Sequence, residues 1–129
     1  MSNIPSQLGV EVYPLNPVFS DERGDIFDIV EEPVGHTGMV TCVAGSVRGN
    51  HYHRASIQYN FVLEGNLELI VSNKEKTITE EYILKPGCFV RIPVGVVHTY
   101  KALTNAKMLD LTTVSRIGDG YEQDTVRVV

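Results

Sequence analysis

The sequence lacks the features that would place it in a membrane, on the secretory route or on a nucleic acid. It has no run of eighteen apolar residues among its 129, so we predict no membrane-spanning helix. Its N-terminal stretch has neither the basic segment nor the apolar core of a signal peptide, and we therefore expect a cytoplasmic protein. Lysine and arginine number 11 against 16 acidic residues, and the net charge of −5 argues against binding to a nucleic acid polymer.

Cysteine is scarce as well. Cys42 and Cys88 are the two cysteines of the chain, and each lies among apolar neighbours. In a reducing compartment such residues fill core space as free thiols, which is what we expect here. No paired spacing supports a disulfide or a metal-binding role for them.

Helical periodicity is absent, because no apolar stripe with helical spacing extends beyond two turns. Short apolar runs instead recur at a spacing of roughly ten residues between turn residues, which predicts antiparallel strands in a sandwich or barrel. We predict an all-β jelly roll in a single domain over residues 1–129. The predicted strands are Ile26–Val30, Met39–Ala44, His51–His53, Ile57–Leu63, Leu67–Val71, Thr77–Leu84, Phe89–Ile92, His98–Leu103 and Lys107–Thr113.

Three further expectations concern burial and strand edges. Met39–Ala44 is apolar on both faces, so this strand should be deeply buried. Gly45–Asn50 should form a turn before the histidine strand. The chain ends in the apolar segment Val126–Val129, which could add an edge strand to its own sheet or to a neighbouring subunit.

A pair of histidines, His51 and His53, stands in the stretch Gly45–Gly65, and Gln58 follows it. On an extended chain, residues i and i+2 point to the same side. Two imidazoles that converge from one face, with a third polar group nearby, are how a β-scaffold forms a metal site. The alternative is a solvated histidine pair on a loop.

Two motifs resemble those of the cupin superfamily. The first runs Gly45, five residues, His51-x-His53, four residues, Gln58, six residues and Gly65, and the second runs Gly87, five residues, Pro93-x-Gly95, two residues and His98. The resemblance implies a double-stranded β-helix, the cupin barrel, whose mouth holds a divalent metal. It also implies that His51, His53 and His98 are ligands, with Gln58 in the place usually held by a glutamate. Because small cupins commonly pair through a sheet edge, we predict a homodimer.

The glutamine at position 58 changes the expected chemistry of such a site. A glutamate would neutralise one unit of the ion's charge, whereas an amide oxygen only solvates it. Metal affinity should therefore fall, while the Lewis acidity of the ion should rise. Zinc, nickel, iron, manganese and copper all remain admissible. The alternative is a site without metal, in which a histidine acts as a general base.

A narrower resemblance concerns the segments Phe19–Gly24 and Val47–His51. They are similar to sugar-nucleotide cupins, namely dTDP-4-keto-sugar 3,5-epimerases, 3,4-ketoisomerases and the cupin domains of capsular-polysaccharide enzymes. The resemblance implies that His51 moves a proton and that Arg48 holds nucleotide phosphates, with Arg23 as a further substrate-binding candidate. The epimerases and ketoisomerases of this group do not depend on a metal and often lack the histidine of the second motif. The chain therefore combines two patterns.

Abstraction of a proton beside a ketone needs a base of near-neutral pKa, which histidine supplies, and a donor or ion on the developing enolate. Tyr100 lies two residues after His98 on the same strand face and is our candidate catalytic donor. The alternative for Tyr100 is a tyrosine at the rim of the core with its hydroxyl in water. For Arg23 and Arg48 the alternative is a solvated turn arginine.

Three functional hypotheses follow, and in each the partner is a small molecule. The first is a metal-binding isomerase or epimerase of a nucleotide-linked keto-sugar in surface-polysaccharide biosynthesis. The second is a metal-dependent dioxygenase-type cupin. The third is a non-catalytic cupin that only binds a small ligand.

Overall fold

The computed structural model describes residues 5–128, which contain twelve β-strands and one short helix. The helix is too short and too polar to cross a membrane, and no other helix occurs within the described residues. The elements are β1 (Glu11–Pro14), β2 (Phe19–Asp21), β3 (Gly24–Ile26), β4 (His36–Cys42), β5 (Val47–His53), β6 (Gln58–Glu64), β7 (Leu67–Ser72), β8 (Thr79–Leu84), β9 (Cys88–Ile92), β10 (Val97–Ala102), β11 (Ala106–Thr112), α1 (Gly120–Asp124) and β12 (Thr125–Arg127).

Two five-stranded antiparallel sheets form the body of the protein. The first sheet has the order β1-β9-β6-β11-β4, and the second has the order β12-β5-β10-β7-β8. Strands β2 and β3 form a separate hairpin. Strands distant in sequence alternate within each sheet, so that β5 of the first half pairs with β10 of the second half. The all-β jelly roll that the sequence predicts is confirmed.

The core lies between the two sheets and follows the alternation of side chains along each strand. Leu67, Leu69 and Val71 are fully buried on the inner face of β7, as their i, i+2 spacing predicts. Cys42 and Cys88 belong to the same core as free thiols, which confirms the expectation for both cysteines.

The predicted bounds of one strand and one turn are wrong, and both lie in the first half of the chain. The strand expected at Ile26–Val30 ends at Ile26, because Ile29 and Val30 pack as loop residues against a cluster on the outer face of the first sheet. The turn expected at Gly45–Asn50 is shorter, because β5 begins at Val47, where its pairing with β10 starts.

The expectation that Met39–Ala44 is deeply buried is also wrong. Strand β4 lies at the edge of the first sheet and pairs with β11 alone among the described strands. Only its inner face is covered, so Cys42 is buried while Met39 is 59% exposed and Val43, just past the strand, is 73% exposed. An apolar residue on the outer face of an edge strand has no second layer to pack against.

The C-terminal tail returns to its own sheet. Strand β12 pairs with β5, with Thr125 opposite His53 and Arg127 opposite His51. The edge strand predicted for this end therefore forms within the same subunit, and its last predicted residue, Val129, lies outside the described residues. The homodimer remains a prediction.

Candidate functional site

Strands β5 and β10 bring the three motif histidines to one point on the inner face of the second sheet. His51 lies directly opposite His98 in the strand register, and His53 follows two residues later on the same face. Gly49 permits this close approach. A Cβ at Gly49 would lie 2.6 Å from the carbonyl oxygen of His98, and its φ of 99° falls in the left-handed region that favours glycine.

The three imidazole rings form a compact triangle. Their centroids are 4.6 Å apart for His51 and His98, 5.1 Å for His51 and His53, and 5.3 Å for His53 and His98. Their ligand atoms all lie within 4.8 Å of one another. Nitrogens that bind one ion tetrahedrally at about 2.1 Å are about 3.4 Å apart, so side-chain rotations would have to bring these three somewhat closer together.

His98 presents an unused lone pair to the centre of this triangle. Its Nδ1 lies 3.1 Å from the carbonyl oxygen of Val96, which can only accept, so Nδ1 carries the proton. Its Nε2 is therefore a bare acceptor, and it is buried without a hydrogen-bond partner. A bare, buried acceptor of this kind suits a cation or a hydrogen-bond donor as its partner.

The electrostatic environment keeps these imidazoles neutral. Burial, reinforced by the neighbouring histidines, lowers the pKa of His98 to about 3. Burial likewise lowers the pKa of His51 to about 4, with His53 and two arginines adding to the effect. The pKa of His53 is also lowered by burial, against the opposing effects of Gln58 and Asp124. Neutral imidazoles with free lone pairs are the form that binds metal.

Gln58 lies beside the histidine triangle on strand β6 of the opposite sheet. Its Oε1 is 2.8 Å from Nε2 of His53, and its Nε2 donates to Oδ1 of Asn60 at 2.8 Å. Asn60 in turn donates from Nδ2 to Oδ1 of Asp110 at 3.0 Å. A buried polar chain thus runs from the histidines across the barrel, and it holds the amide oxygen of Gln58 at the site.

Asp124 approaches His53 from the other side. Its Oδ2 lies 3.3 Å from Nδ1 of His53, and its Oδ1 accepts hydrogen bonds from the backbone N–H of Ala55 at 2.7 Å and of Ser56 at 3.3 Å. Burial raises the pKa of Asp124, but the hydrogen bonds from Ser56 and Ala55 outweigh it and hold the pKa below its usual value. The carboxylate of Asp124 thus lies beside Nδ1 of the His53 ring, on the opposite side of the ring from Gln58.

A cavity of about 350 Å³ opens in front of the triangle. Three arginines contribute to its lining, one on β5, one after β11 and one on β12: Arg48, Arg116 and Arg127. Tyr121 of α1 also lines it, with the Arg116 guanidinium 4.9 Å from the centre of its ring. Asp110 also lines the cavity and pairs with Arg116. Among the described residues, the lining thus holds three arginines against one carboxylate in a protein of net charge −5, which favours an anionic ligand.

Most residues predicted from the sequence meet at this cavity, although one does not. His51, Gln58, His98, Arg48 and Tyr100 all line it, and His53 lies buried behind His51. The hydroxyl of Tyr100 is buried and donates to Oδ1 of Asn60 at 2.7 Å, rather than lying in water.

Arg23 lies elsewhere. It is on the β2–β3 hairpin, where its side chain is 81% exposed and pairs with Asp21 at 2.6 Å. It does not belong to the lining of the histidine cavity. Within a single subunit, the structure therefore does not bring Arg23 together with the other candidates.

The sequence reasoning missed four residues of the C-terminal segment. They reach the site because the chain after β11 folds back over the cavity before β12 pairs with β5: Arg116, Tyr121, Asp124 and Arg127. The apolar end of the tail predicted a strand. Knowing that this strand pairs with β5 would have identified Arg127, which lies opposite His51. Nothing in the local pattern signalled the other three.

Comparisons with known proteins agree with this architecture. The family profile described as "Cupin domain" matches residues 38–113, more than half of the chain. A search of curated protein sequences found no match.

Solved structures with the same fold include several enzymes of sugar nucleotides. A dTDP-4-dehydrorhamnose 3,5-epimerase from Sulfolobus tokodaii is 19% identical with a TM-score of 0.75, over 94% of this chain and 77% of that one. A sugar 3,4-ketoisomerase from Thermoanaerobacterium thermosaccharolyticum, solved in complex with TDP, is 18% identical with a TM-score of 0.77, over 95% and 90%. A 3,4-ketoisomerase from Helicobacter canadensis is 15% identical with a TM-score of 0.79, over 95% and 92%. At these identities the likeness establishes a shared fold.

Proposed function

The chain belongs to the cupin family, and we propose that it binds a divalent transition metal and isomerises or epimerises a nucleotide-linked keto-sugar in surface-polysaccharide biosynthesis. The observation that carries this proposal is the cluster of three neutral histidines beside a cavity that also holds three arginines. The histidines suit a metal ion, and the arginines suit an anionic substrate.

The donor set fits a divalent metal. An ion would satisfy the bare Nε2 of His98, and Nε2 of His53 and the amide oxygen of Gln58 would both be close enough to bind it. Among the metals admissible from the sequence, zinc, copper, iron and nickel suit imidazole donors better than manganese does. When bound, such an ion stabilises negative charge on a carbonyl oxygen of the substrate.

Arg48 is the best-placed group for a substrate phosphate. Arg116 pairs with Asp110 at 2.8 Å, and Arg127 forms two hydrogen bonds with Glu122. Within residues 5–128, Arg48 has no carboxylate partner and donates only to the carbonyl oxygen of Thr41 at 3.0 Å. Its exposed guanidinium is therefore free to bind a diphosphate in a bidentate manner. The TDP bound to the Thermoanaerobacterium ketoisomerase supports a ligand of this class.

Two alternatives apply to the same cavity. Without a metal, His51 would act as the general base, since it lines the cavity wall and its imidazole is neutral. Its pKa, which burial lowers to about 4, makes it a weak base and favours the metal instead. With a metal, the hydroxyl of Tyr100 already donates to Asn60 and so is not the donor to an enolate. A dioxygenase-type reaction would not need that donor. A cupin that only binds its ligand would show neither reaction.

The metal is tested by elemental analysis of protein purified without an affinity tag. We expect a transition metal at less than one equivalent, removable by a chelator because no carboxylate lies among the candidate ligands. His51→Ala should abolish the metal content. His36→Ala is the matched control, since His36 lies outside the triangle. Equal metal content in wild type and His51→Ala would refute the ligand assignment.

The reaction is tested with 4-keto-sugar nucleotides in heavy water. The isomerase hypothesis predicts exchange of the hydrogen next to the ketone, loss of that exchange on chelation and recovery on addition of metal. Exchange that survives chelation would instead identify His51 as a metal-free base. Saturable binding without exchange would exclude the isomerase, and oxygen uptake that depends on iron or nickel would identify the dioxygenase.

A further inference from the structure

His53 differs from the other two histidines, because both of its ring nitrogens face oxygen atoms. Nε2 lies 2.8 Å from Oε1 of Gln58, and Nδ1 lies 3.3 Å from Oδ2 of Asp124. His53 is 3% exposed, so water does not reach both nitrogens freely. The position of the proton on this ring therefore decides which contact is favourable.

The donors and acceptors of the buried hydrogen bonds from Asp110 to Gln58 decide which atom of the Gln58 amide faces His53. Nδ2 of Asn60 lies 3.1 Å from the carbonyl oxygen of Leu109 and 3.0 Å from Oδ1 of Asp110. A carbonyl and a carboxylate only accept, so the amide nitrogen of Asn60 must point to them and its oxygen to Gln58. Gln58 then donates to that oxygen, and its own oxygen is left facing His53.

A neutral imidazole carries one proton and cannot donate to acceptors on both sides. With the proton on Nε2, the ring donates to Gln58, and its bare Nδ1 meets the carboxylate of Asp124. With the proton on Nδ1, that proton lies beside the carboxylate of Asp124, and a bare Nε2 meets the oxygen of Gln58. A cation in contact with both Nε2 and the oxygen of Gln58 would make the second arrangement favourable at both nitrogens. The hydroxyl of Thr125, 3.4 Å from Nδ1, can donate or accept and does not choose between them.

We propose that Asp124 is a positioning residue whose carboxylate favours the proton on Nδ1 of His53 and thereby directs Nε2 to the metal. This inference rests on the proposed metal site. A carboxylate on the second nitrogen of a histidine fixes its tautomer and raises its basicity as a ligand. Asp124 is itself fixed, since its side chain accepts from Ala55 and Ser56 and its carbonyl oxygen accepts from the N–H of Arg54 at 2.8 Å.

Asp124→Asn tests this role directly, because it can replace the acceptor oxygen that faces Nδ1 of His53 with a donor NH₂ group. The backbone N–H groups of Ala55 and Ser56 donate to this side chain and need an acceptor, so the oxygen of the new amide would stay on their side. Its NH₂ group would then face Nδ1 of His53 as a donor. That contact favours the proton on Nε2, which blocks coordination through Nε2. Asp119→Asn is the matched control, because it removes the same charge from the same segment and Asp119 bonds to Gln123 instead of a histidine.

The experiment measures zinc binding to metal-free full-length protein and the ¹⁵N spectrum of its histidine rings. We expect Asp124→Asn to weaken zinc binding about 10- to 100-fold, the range typical of such supporting residues. Asp119→Asn should bind zinc as wild type does, and all three metal-free proteins should melt at the same temperature. In the zinc-loaded wild type, the spectrum should show a proton on Nδ1 of His53.

The outcomes separate this inference from the proposed function. If wild type binds zinc but Asp124→Asn binds it equally well, Asp124 has no positioning role, although the metal site stands. A zinc-loaded spectrum with the proton on Nε2 of His53 overturns the inference in the same way, and it needs no variant to fold. If wild type does not bind zinc, copper, iron or nickel, both the metal site and the role of Asp124 are refuted.

Discussion

Replacement of Gln58 by glutamate tests whether the amide oxygen faces the metal. In the metal-free protein, the introduced carboxyl can stay protonated, donate to Oδ1 of Asn60 and accept from Nε2 of His53, as the amide does. We therefore expect the metal-free variant to unfold within about 1 kcal/mol of wild type, since one neutral hydrogen bond replaces another. Metal binding would then release the carboxyl proton and place a negative charge beside the ion.

Two opposing contributions set the expected affinity. A pair of unit charges about 4 Å apart gains about 4 kcal/mol at an effective dielectric constant of about 20. The ionised carboxyl no longer donates to Asn60, and loss of that buried hydrogen bond costs about 1–3 kcal/mol. The charge contribution is the larger, which leaves a net gain of about 1–3 kcal/mol and a Kd about 10- to 100-fold lower.

The assay is zinc titration of metal-free protein at about pH 8 and about pH 6. Because the carboxyl must lose its proton, the gain in affinity should shrink at the lower pH. Gln123→Glu is the matched control, since it makes the same change on the exposed face of α1. Zinc binding by Gln58→Glu that is no tighter than wild type at about pH 8 would show that the side chain at position 58 does not face the ion.

Three further predictions concern single residues. Burial lowers the pKa of His98 to about 3 in the folded protein, against about 6.5 when unfolded, so its contribution to stability is full above about pH 6.5 and is lost as the pH falls. Urea unfolding of the metal-free protein should show a loss of at least about 2–3 kcal/mol between about pH 7 and about pH 4.5, because His51, whose pKa burial lowers to about 4, adds to the loss. A flat profile would contradict this prediction. Arg116→Met should lower the free energy of unfolding by about 2 kcal/mol, because it removes the guanidinium that lies 2.8 Å from the buried carboxylate of Asp110. Arg23→Met is the control, because its ion pair lies on an exposed hairpin and its loss should not change the free energy of unfolding measurably. Equal effects of the two substitutions would contradict a stabilising role for the Arg116–Asp110 pair. Arg48→Lys should raise KM for the nucleotide sugar more than it lowers kcat, because lysine offers no bidentate fork; an effect on kcat alone would remove the phosphate role.

The faces of the strands and the three histidines of the site could be predicted from the order of residues alone. Side chains alternate along any extended strand, so the spacing of His51 and His53 is enough to place both rings on one face. The same alternation places Gln58, Asn60 and Val62 on one face of their strand, and the structure shows that this is the inner face. His98 could be added because its motif has fixed spacings that match a cupin barrel, and the fold brings its ring centroid to 4.6 Å from that of His51.

The connections between those residues depend on how the strands pair. Local periodicity cannot tell an edge strand from a central one, which is why the predicted burial of Met39–Ala44 is wrong. The side of the strand that Asp110 occupies is likewise fixed by the pairing of β11 with β6, which places Asp110 opposite Asn60.

The C-terminal segment shows the same limit most clearly. Asp124 and Tyr121 reach the histidines because β12 pairs with a strand about seventy residues earlier in the chain, Val126 lying opposite Tyr52. Such a contact depends on the packing of the whole barrel, and the residues next to Tyr121 and Asp124 in the sequence do not predict it. The candidate ligands follow from backbone geometry within single strands. The direction of the hydrogen bonds that orient them follows from contacts between strands that only the folded barrel brings together.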